Sequence, residues 1–389
     1  MTQGHSDHYL SVLSPRDVKF DAHKVIADQV AELYGLDGNQ GYTGFISGSR
    51  VVNFRSYTTK IQLCGSWLKF VKLKDGKIKL IDARFCKSPN CPMCQWRRQL
   101  VWRAKFLAVA PAIRESYPSH RWVFLTLTLR NCELGNLRAT VKHMSESFKR
   151  LRALADFPLK GWVRSLEVTR AWDWYDRNNN YLGRHGVKWY YESKDTDKIS
   201  WTVKPTDEVH PHYHLLALVP ASYFSTGYVT QARWSEMWMQ SLRVSYNPIV
   251  HIQTVKAKKG AKLLPDLEVV EGELDKAVSP TEITDDSGLF KGICETMKYT
   301  VKEQDLIGTF CKDDDVNSDW LKGLTEQLYK MRRIEYSGIL KEFGKEVGKA
   351  EGEDDNLISG GETSEGIDEI EKEIVFRWER AINRYVGNG

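Results

Sequence analysis

Three histidines recur at alternate positions, 210, 212 and 214, in the stretch EVHPHYHLLALV (208–219). Residues two apart on a strand share a face, so Glu208, His210, His212 and His214 point one way. Leu216 and Leu218 continue that face, and Tyr213, Leu215, Ala217 and Val219 form the other. Neutral imidazoles ligate divalent metals, and two from one strand can grip one ion without distorting the backbone. The aliphatic continuation marks a central strand. Histidines bonded only to neighbours or water are the plain alternative, which suits a lone histidine better than three in register. A hard oxygen ligand should come from an adjacent strand. Glu167 in SLEVTR, a carboxylate between Leu166 and Val168, is the candidate, with a paired edge carboxylate as its structural alternative.

A second constellation lies in ETMKYTVK, where Glu295 precedes Tyr299 by four positions and Lys302 follows it by three. On a helix these three share a narrow arc, opposite Phe290, Ile293, Met297 and Val301. A phenol with a pKa of about 10 is a weak nucleophile near neutrality. A metal polarising a phosphate and a nearby cation favouring phenolate would activate it. Attack on a phosphodiester leaves a phosphotyrosine, and the carboxylate can later activate water or a hydroxyl. Tyr299, Glu295 and Lys302 are thus the catalytic candidates. Taken alone the segment is an ordinary amphipathic helix with an i,i+4 pair; the histidine strand tips the balance.

Cys86, Cys91 and Cys94 give the pattern C-x4-C-P-x-C, a half-site for tetrahedral zinc. The fourth ligand is Cys64, across an expected hairpin, with His120 in reserve; unliganded thiols are the alternative. A closed site would be structural and would fix the following helix, whose Arg97, Arg98, Arg103 and Lys105 could meet DNA phosphates. A solvated helix face is the competing reading. Cys132, Cys294 and Cys311 are scattered, as packing residues are.

Elements must hold these groups. WLKFVKL and KIKLIDARF alternate around Asp75-Gly76, as in a β-hairpin. A helix is expected over 92–109, a strand over 121–131, an amphipathic helix over 135–154 and a strand over 161–171. Residues 172–207 look like an insertion, a long hairpin. After the histidine strand come a helix at 230–243, a strand at 248–257, a long acidic loop at 258–287 and one helix over 288–306. A further helix leads into a last strand at 333–340, and residues 350–370 read as flexible. Strand-helix-strand twice over predicts an α+β fold: a ferredoxin-like antiparallel sheet with packed helices.

The chain has 389 residues, enough for two or three domains. Its net charge of +5 hides a split. Residues 1–256 carry 37 Lys and Arg against 21 Asp and Glu, and residues 257–389 carry 19 against 30. A basic front half rich in tryptophan suits a polyanion, single strands in particular. No run of eighteen apolar residues and no secretory signal are apparent, so a cytoplasmic location without membrane partners is expected. The seven cysteines then favour metal binding or free thiols over disulfides.

The strand FLTLT, the strand HPHYHLL and a helix with E-x3-Y-x2-K stand in that order, and this arrangement resembles the replication initiators of small rolling-circle plasmids within the HUH endonuclease superfamily. RFCKSPNCPMCQWRR and RRIEYSGILKEF look like that family's flanking signatures, and the resemblance covers about residues 57–343. It implies an HUH nuclease domain over 116–343, interrupted at 172–207 and 258–287, after an N-terminal zinc-binding region (1–115) and before an acidic tail (344–389). It implies an enzyme that nicks one strand at the plasmid's double-strand origin, leaves tyrosine on the 5′ phosphate and frees a 3′ hydroxyl primer. His212 and His214 would hold Mg²⁺ or Mn²⁺, with His210 ranked below them, and Glu295 would help to terminate the cycle. Origin DNA, single-stranded or extruded, is the implied partner, with host helicase and polymerase beside it. A conjugative relaxase or a single-strand transposase would use related chemistry. A zinc-dependent DNA-binding regulator would bind without forming a covalent adduct.

Overall fold

Two short β-prone runs, GFIS and RVVN, pair as β1 (Gly44–Ser47) and β2 (Arg50–Asn53), turned by Gly48 at a φ of 60°. The computed structural model describes residues 8–74, 76, 78–255, 287–298, 300–348, 357–358 and 370–387. The expected hairpin forms as β3 (Trp67–Leu73) and β4 (Ile78–Ala83), with Leu68, Phe70, Ile78 and Leu80 turned inward; Asp75 lies outside the described residues.

The central sheet uses β5 (Arg121–Thr128), β6 (Cys132–Glu133), β7 (Gly161–Tyr175), β8 (Tyr181–His185), β9 (Thr202–Val219), β10 (Val250–Thr254) and β11 (Ile334–Gly338). Its main path is β10-β5-β9-β7-β11, antiparallel throughout, with β6 against β9 and β8 against β7. Helix Leu137–Arg152 links β5 to β7, and helix Gln231–Leu242 links β9 to β10, so the connectivity is β-α-β-β-α-β as the sequence predicts.

The histidine strand is central. Tyr213, Leu215, Ala217 and Val219 share a core with Met144, Phe148, Trp234 and Trp238 from those two helices. Leu216 and Leu218, on the opposite face, share one with Phe106 and Ile113 of helix Pro92–Ser116 and with Leu289 and Ile293 of helix Ser287–Thr296. Each leucine so buried contributes about 1.5–3 kcal/mol. The period of two thus divides one strand between two cores and turns the histidine face toward helix Ser287–Thr296.

Three expectations change. Strands β7 and β9 do not stop at the borders of the 172–207 stretch: their pairing runs on to Tyr175 opposite Thr202, past a register shift between Arg170 and Trp172. Trp172, Trp174 and Val187 give this extension its own small core. The helix expected over 288–306 ends at Thr296, and a separate short helix, Glu303–Leu306, follows an extended Lys302. The break has a backbone cause. Beyond the reach of β11, the β7 amide of Val168 donates to the Thr300 carbonyl at 2.6 Å. A buried N–H needs such a partner, and a helical Thr300 would spend its carbonyl within the helix.

The third change concerns the tail. Beyond residue 344 the chain supplies β12 (Ile370–Glu379) and β13 (Arg384–Gly387), which complete a sheet ordered β13-β12-β3-β4. Tyr385 donates its hydroxyl to the Gly65 carbonyl at 2.6 Å, and Trp378 donates its indole N–H to Asp28 at 2.9 Å. Apart from Ser287, the acidic loop expected at 258–287 lies outside the described residues, as does most of 350–370. No helix among the described residues is long and apolar enough to cross a membrane.

Candidate active site

Register assembles the site. Glu167 of β7 sits directly opposite His212 of β9, whose other neighbour is Thr128 of β5. His214 lies between Ser165 and Thr126. Glu167 Oε2 is 3.0 Å from His214 Nε2 and 3.5 Å from His212 Nε2. Its Oε1 forms an ion pair with Lys302 Nζ at 3.3 Å. One ligand atom from each of Glu167, His212 and His214 lies within 4.8 Å of the others.

The donor set fits a divalent ion. His212 Nδ1 is 3.2 Å from the His210 carbonyl, an acceptor, so that nitrogen carries the proton and Nε2 presents its lone pair. A lone pair facing a carboxylate is unfavourable unless a cation or a proton stands between them. His214 Nδ1 is held by the Thr126 hydroxyl at 3.1 Å, which leaves its Nε2 aimed at the same carboxylate. When protons rather than a metal ion sit on the two Nε2 atoms, burial still works to raise the pKa of Glu167, but hydrogen bonds and charge from His212 and His214 hold it well below the usual carboxylate range. Burial pushes His210 down to about 4. His210 stacks on His212 at 5.2 Å and stands outside the ligand triad.

The triad opens into a cleft of about 890 Å³. Glu295 and Lys298 form an ion pair on its wall, beside Lys302. Lys302 and Glu295 therefore share the cleft but not a helix, and Lys302 answers to Glu167. Tyr299 lies outside the described residues. Sequence reasoning did not single out Lys298, Thr126, Arg130, Tyr246, His185 or Trp189, which also line the cleft. Thr126 was legible as the histidine-side position of FLTLT. His185 and Trp189, stacked at 4.2 Å, come from the stretch set aside as an insertion.

A second centre gathers Cys64, Cys86, Cys91 and Cys94, whose sulfurs lie within 4.8 Å of one another. Cys64 and Cys94 sulfurs are 3.4 Å apart, and Cys86 and Cys94 sulfurs 3.7 Å. Tetrahedral zinc with bonds of about 2.3 Å would separate its sulfurs by about 3.8 Å. The backbone amides of Cys86, Lys87 and Ser88 donate to sulfurs of the cluster at 3.3–3.4 Å, as they would to thiolates. All four residues are free cysteines, so the set suits a closed metal site. His120 is not needed; it packs against Tyr117 at 5.4 Å.

The basic helix needs correction. Arg97 is 1% exposed and spends its guanidinium on the carbonyls of Leu357 and Ile358, both at 2.8 Å. It is wedged beside Phe20 and Trp96 and cannot meet a phosphate. Arg98, Arg103 and Lys105 are partly exposed.

Residues 77–386 match the model of a family described as Replication protein. The chain is 31% identical to "Protein rep" of Streptococcus pneumoniae serotype 2 over 333 residues, covering 84% of this chain and 82% of that one. It is 28% identical to "Protein rep" of Lentilactobacillus hilgardii, covering 86% and 89%, and 30% identical to "Protein rep" of a Bacillus species, covering 77% and 83%. No solved structure matches.

Proposed function

We propose a nicking and joining mechanism for this chain, which belongs to the replication protein family matched over residues 77–386 and is a plasmid replication initiator. The observation that carries the mechanism is the convergence of Glu167, His212 and His214 beside Lys302 in one cleft. The central sheet is read as the HUH nuclease core, acting at the double-strand origin of a rolling-circle plasmid. Glu167, His212 and His214 would hold Mg²⁺ or Mn²⁺, which when bound withdraws charge from a phosphate oxygen.

The remaining chemistry belongs to side chains. Tyr299 is the nucleophile: its phenol gives up its proton to solvent as its oxygen bonds to phosphorus, the bond from phosphorus to the 3′ oxygen breaks, and that oxygen takes up a proton from solvent to become the primer hydroxyl. Lys302, 3.3 Å from Glu167, keeps the buried carboxylate oriented and adds positive charge beside the phosphate. Glu295, poised against Lys298, acts later as general base and releases the strand at termination. Cys64, Cys86, Cys91 and Cys94 would hold a structural Zn²⁺. Origin DNA is the substrate, and host helicase and polymerase take over the free 3′ end.

The test is incubation with single-stranded oligonucleotides covering the plasmid origin and Mn²⁺, read as an SDS-resistant adduct. Glu295→Ala should still form the adduct but leave unreleased or multimeric strands. DNA binding with no adduct under any divalent metal would favour a non-catalytic regulator. Cleavage confined to a transfer origin or a transposon end would favour a relaxase or a transposase.

A further inference from the structure

Two smaller clefts hold about 380 and 370 Å³. Lys298 lines both the active-site cleft and the first of these. Pro89, Lys330 and Arg333 line both the first and the second. The three form one track. It runs from the metal triad, past helix Pro92–Ser116, to helix Phe54–Gln62 and the β1–β2 hairpin.

The lining is one-signed. Arg98, Lys298, Lys330, Arg332 and Arg333 line the first cleft, and the second adds Arg50, Lys60 and Lys87. Among the described residues neither cleft is lined by an aspartate or glutamate. Arg333 donates to the Pro89 carbonyl and the Asn90 side-chain oxygen, both neutral, and no carboxylate among the described residues pairs with it. Burial and the neighbouring Arg98 charge lower its pKa to about 10, still protonated at neutrality. Trp102 lines the first cleft and Tyr57 and Tyr329 the second. Cations and aromatic rings lining the same small clefts match a flexible polyanion that carries flat bases, a single strand rather than a duplex.

We infer that this track is a binding path for single-stranded DNA, leading the strand from the cleavage cleft across the cysteine-bearing module. Lys298 joins the path to the active site, and Lys330, Arg332 and Lys60 carry phosphates farther out. The identity of the polyanion as DNA rests on the proposed nicking role; the path itself rests on the lining.

The experiment measures binding of the full chain to fluorescent oligothymidylate of about 30 nucleotides, longer than one cleft spans, across a salt series without added Mg²⁺ or Mn²⁺. The variant carries Lys60→Ala, Arg332→Ala and Lys330→Asn; Asn suits the φ of 56° at that position. Each lost phosphate contact removes about 0.7 from the slope of log K against log salt, so the slope should become shallower by about 2. Affinity should fall at least about tenfold at moderate salt on the same ground. A companion with Lys60→Arg and Arg332→Lys, charges kept, should bind like the parent, and zinc content and melting should match in all three. An unchanged slope in the neutralised variant overturns the path, and an equal loss on blunt duplex overturns the single-strand assignment. Adduct formation by the unaltered protein is scored separately. A shallower slope without any adduct keeps the path and sinks the nicking mechanism; an adduct with an unchanged slope does the reverse.

Discussion

Removing the zinc proposed for the four-cysteine centre should unfold the module around it. The perturbation is Cys91→Ser with Cys94→Ser, or a strong chelator on the unaltered protein. Cys64 follows helix Phe54–Gln62, Cys86 follows β4, and Cys91 caps helix Pro92–Ser116, so one ion would tie three elements together. Without it, three buried thiols and a half-buried one remain within 4.8 Å of each other. Structural zinc supplies about 10–16 kcal/mol of apparent binding free energy in small domains. A whole domain is typically stable by only about 5–15 kcal/mol, so even a third of the zinc contribution decides whether this module folds. The assay pairs elemental analysis with thermal melting followed by tryptophan fluorescence. Trp96, two residues after Cys94, stacks on His23 at 4.6 Å and meets Phe20 edge-on at 4.8 Å, and the difference from a Trp96→Phe control isolates its share of the signal from the chain's 13 tryptophans. About one zinc per chain is expected, lost in the double variant together with a cooperative low-temperature loss of the Trp96 signal. Protein that contains no zinc and melts identically with and without chelator would refute the reasoning, as would zinc retained by the double variant.

Replacing His212 and His214 together by Ala should abolish divalent-dependent cleavage while most phosphate-driven DNA binding survives; cleavage and anisotropy measured on one preparation decide this. Arg97→Ala should destabilise the protein by about 3 kcal/mol or more, through loss of two charge-assisted bonds from a buried guanidinium to backbone carbonyls, and should leave the salt slope of DNA binding unchanged. Burial pushes Asp305 up to about 7, above its unfolded value. The stability that its proton contributes is present at low pH and lost as pH rises through about 7, so Asp305→Asn should flatten that fall in urea midpoints between mildly acidic and mildly basic buffer.

Much of the site was legible because it is written in the period of a strand. His212, His214 and Glu167 needed only alternation and the placing of two strands side by side, and the register supplied the rest. Cys64 was reached through the hairpin that returns the chain toward Cys86. What failed to show were partnerships distant in sequence. Nothing near Arg97 announces that the carbonyls of residues 357 and 358 will claim it. Nothing in the acidic tail reveals that Ile374 and Phe376 will pair with Phe70 and Leu68. The helix break before Thr300 arises from an unfilled amide on β7, which local periodicity cannot register. Lys302 reaches the Glu167–histidine cluster by a different route, through its ion pair with Glu167 rather than a shared helical face.

The central claim is that a tyrosine of this chain becomes covalently joined to the cleaved strand, and that the tyrosine is Tyr299. The most direct measurement is proteolysis of the protein–oligonucleotide adduct followed by mass spectrometry of the modified peptide. The account predicts a nucleotide linked through its 5′ phosphate to Tyr299 in ETMKYTVK, formed only with Mg²⁺ or Mn²⁺ and absent from Tyr299→Phe. A phosphate mapped to any other residue, or an adduct of unchanged yield in Tyr299→Phe, would contradict it.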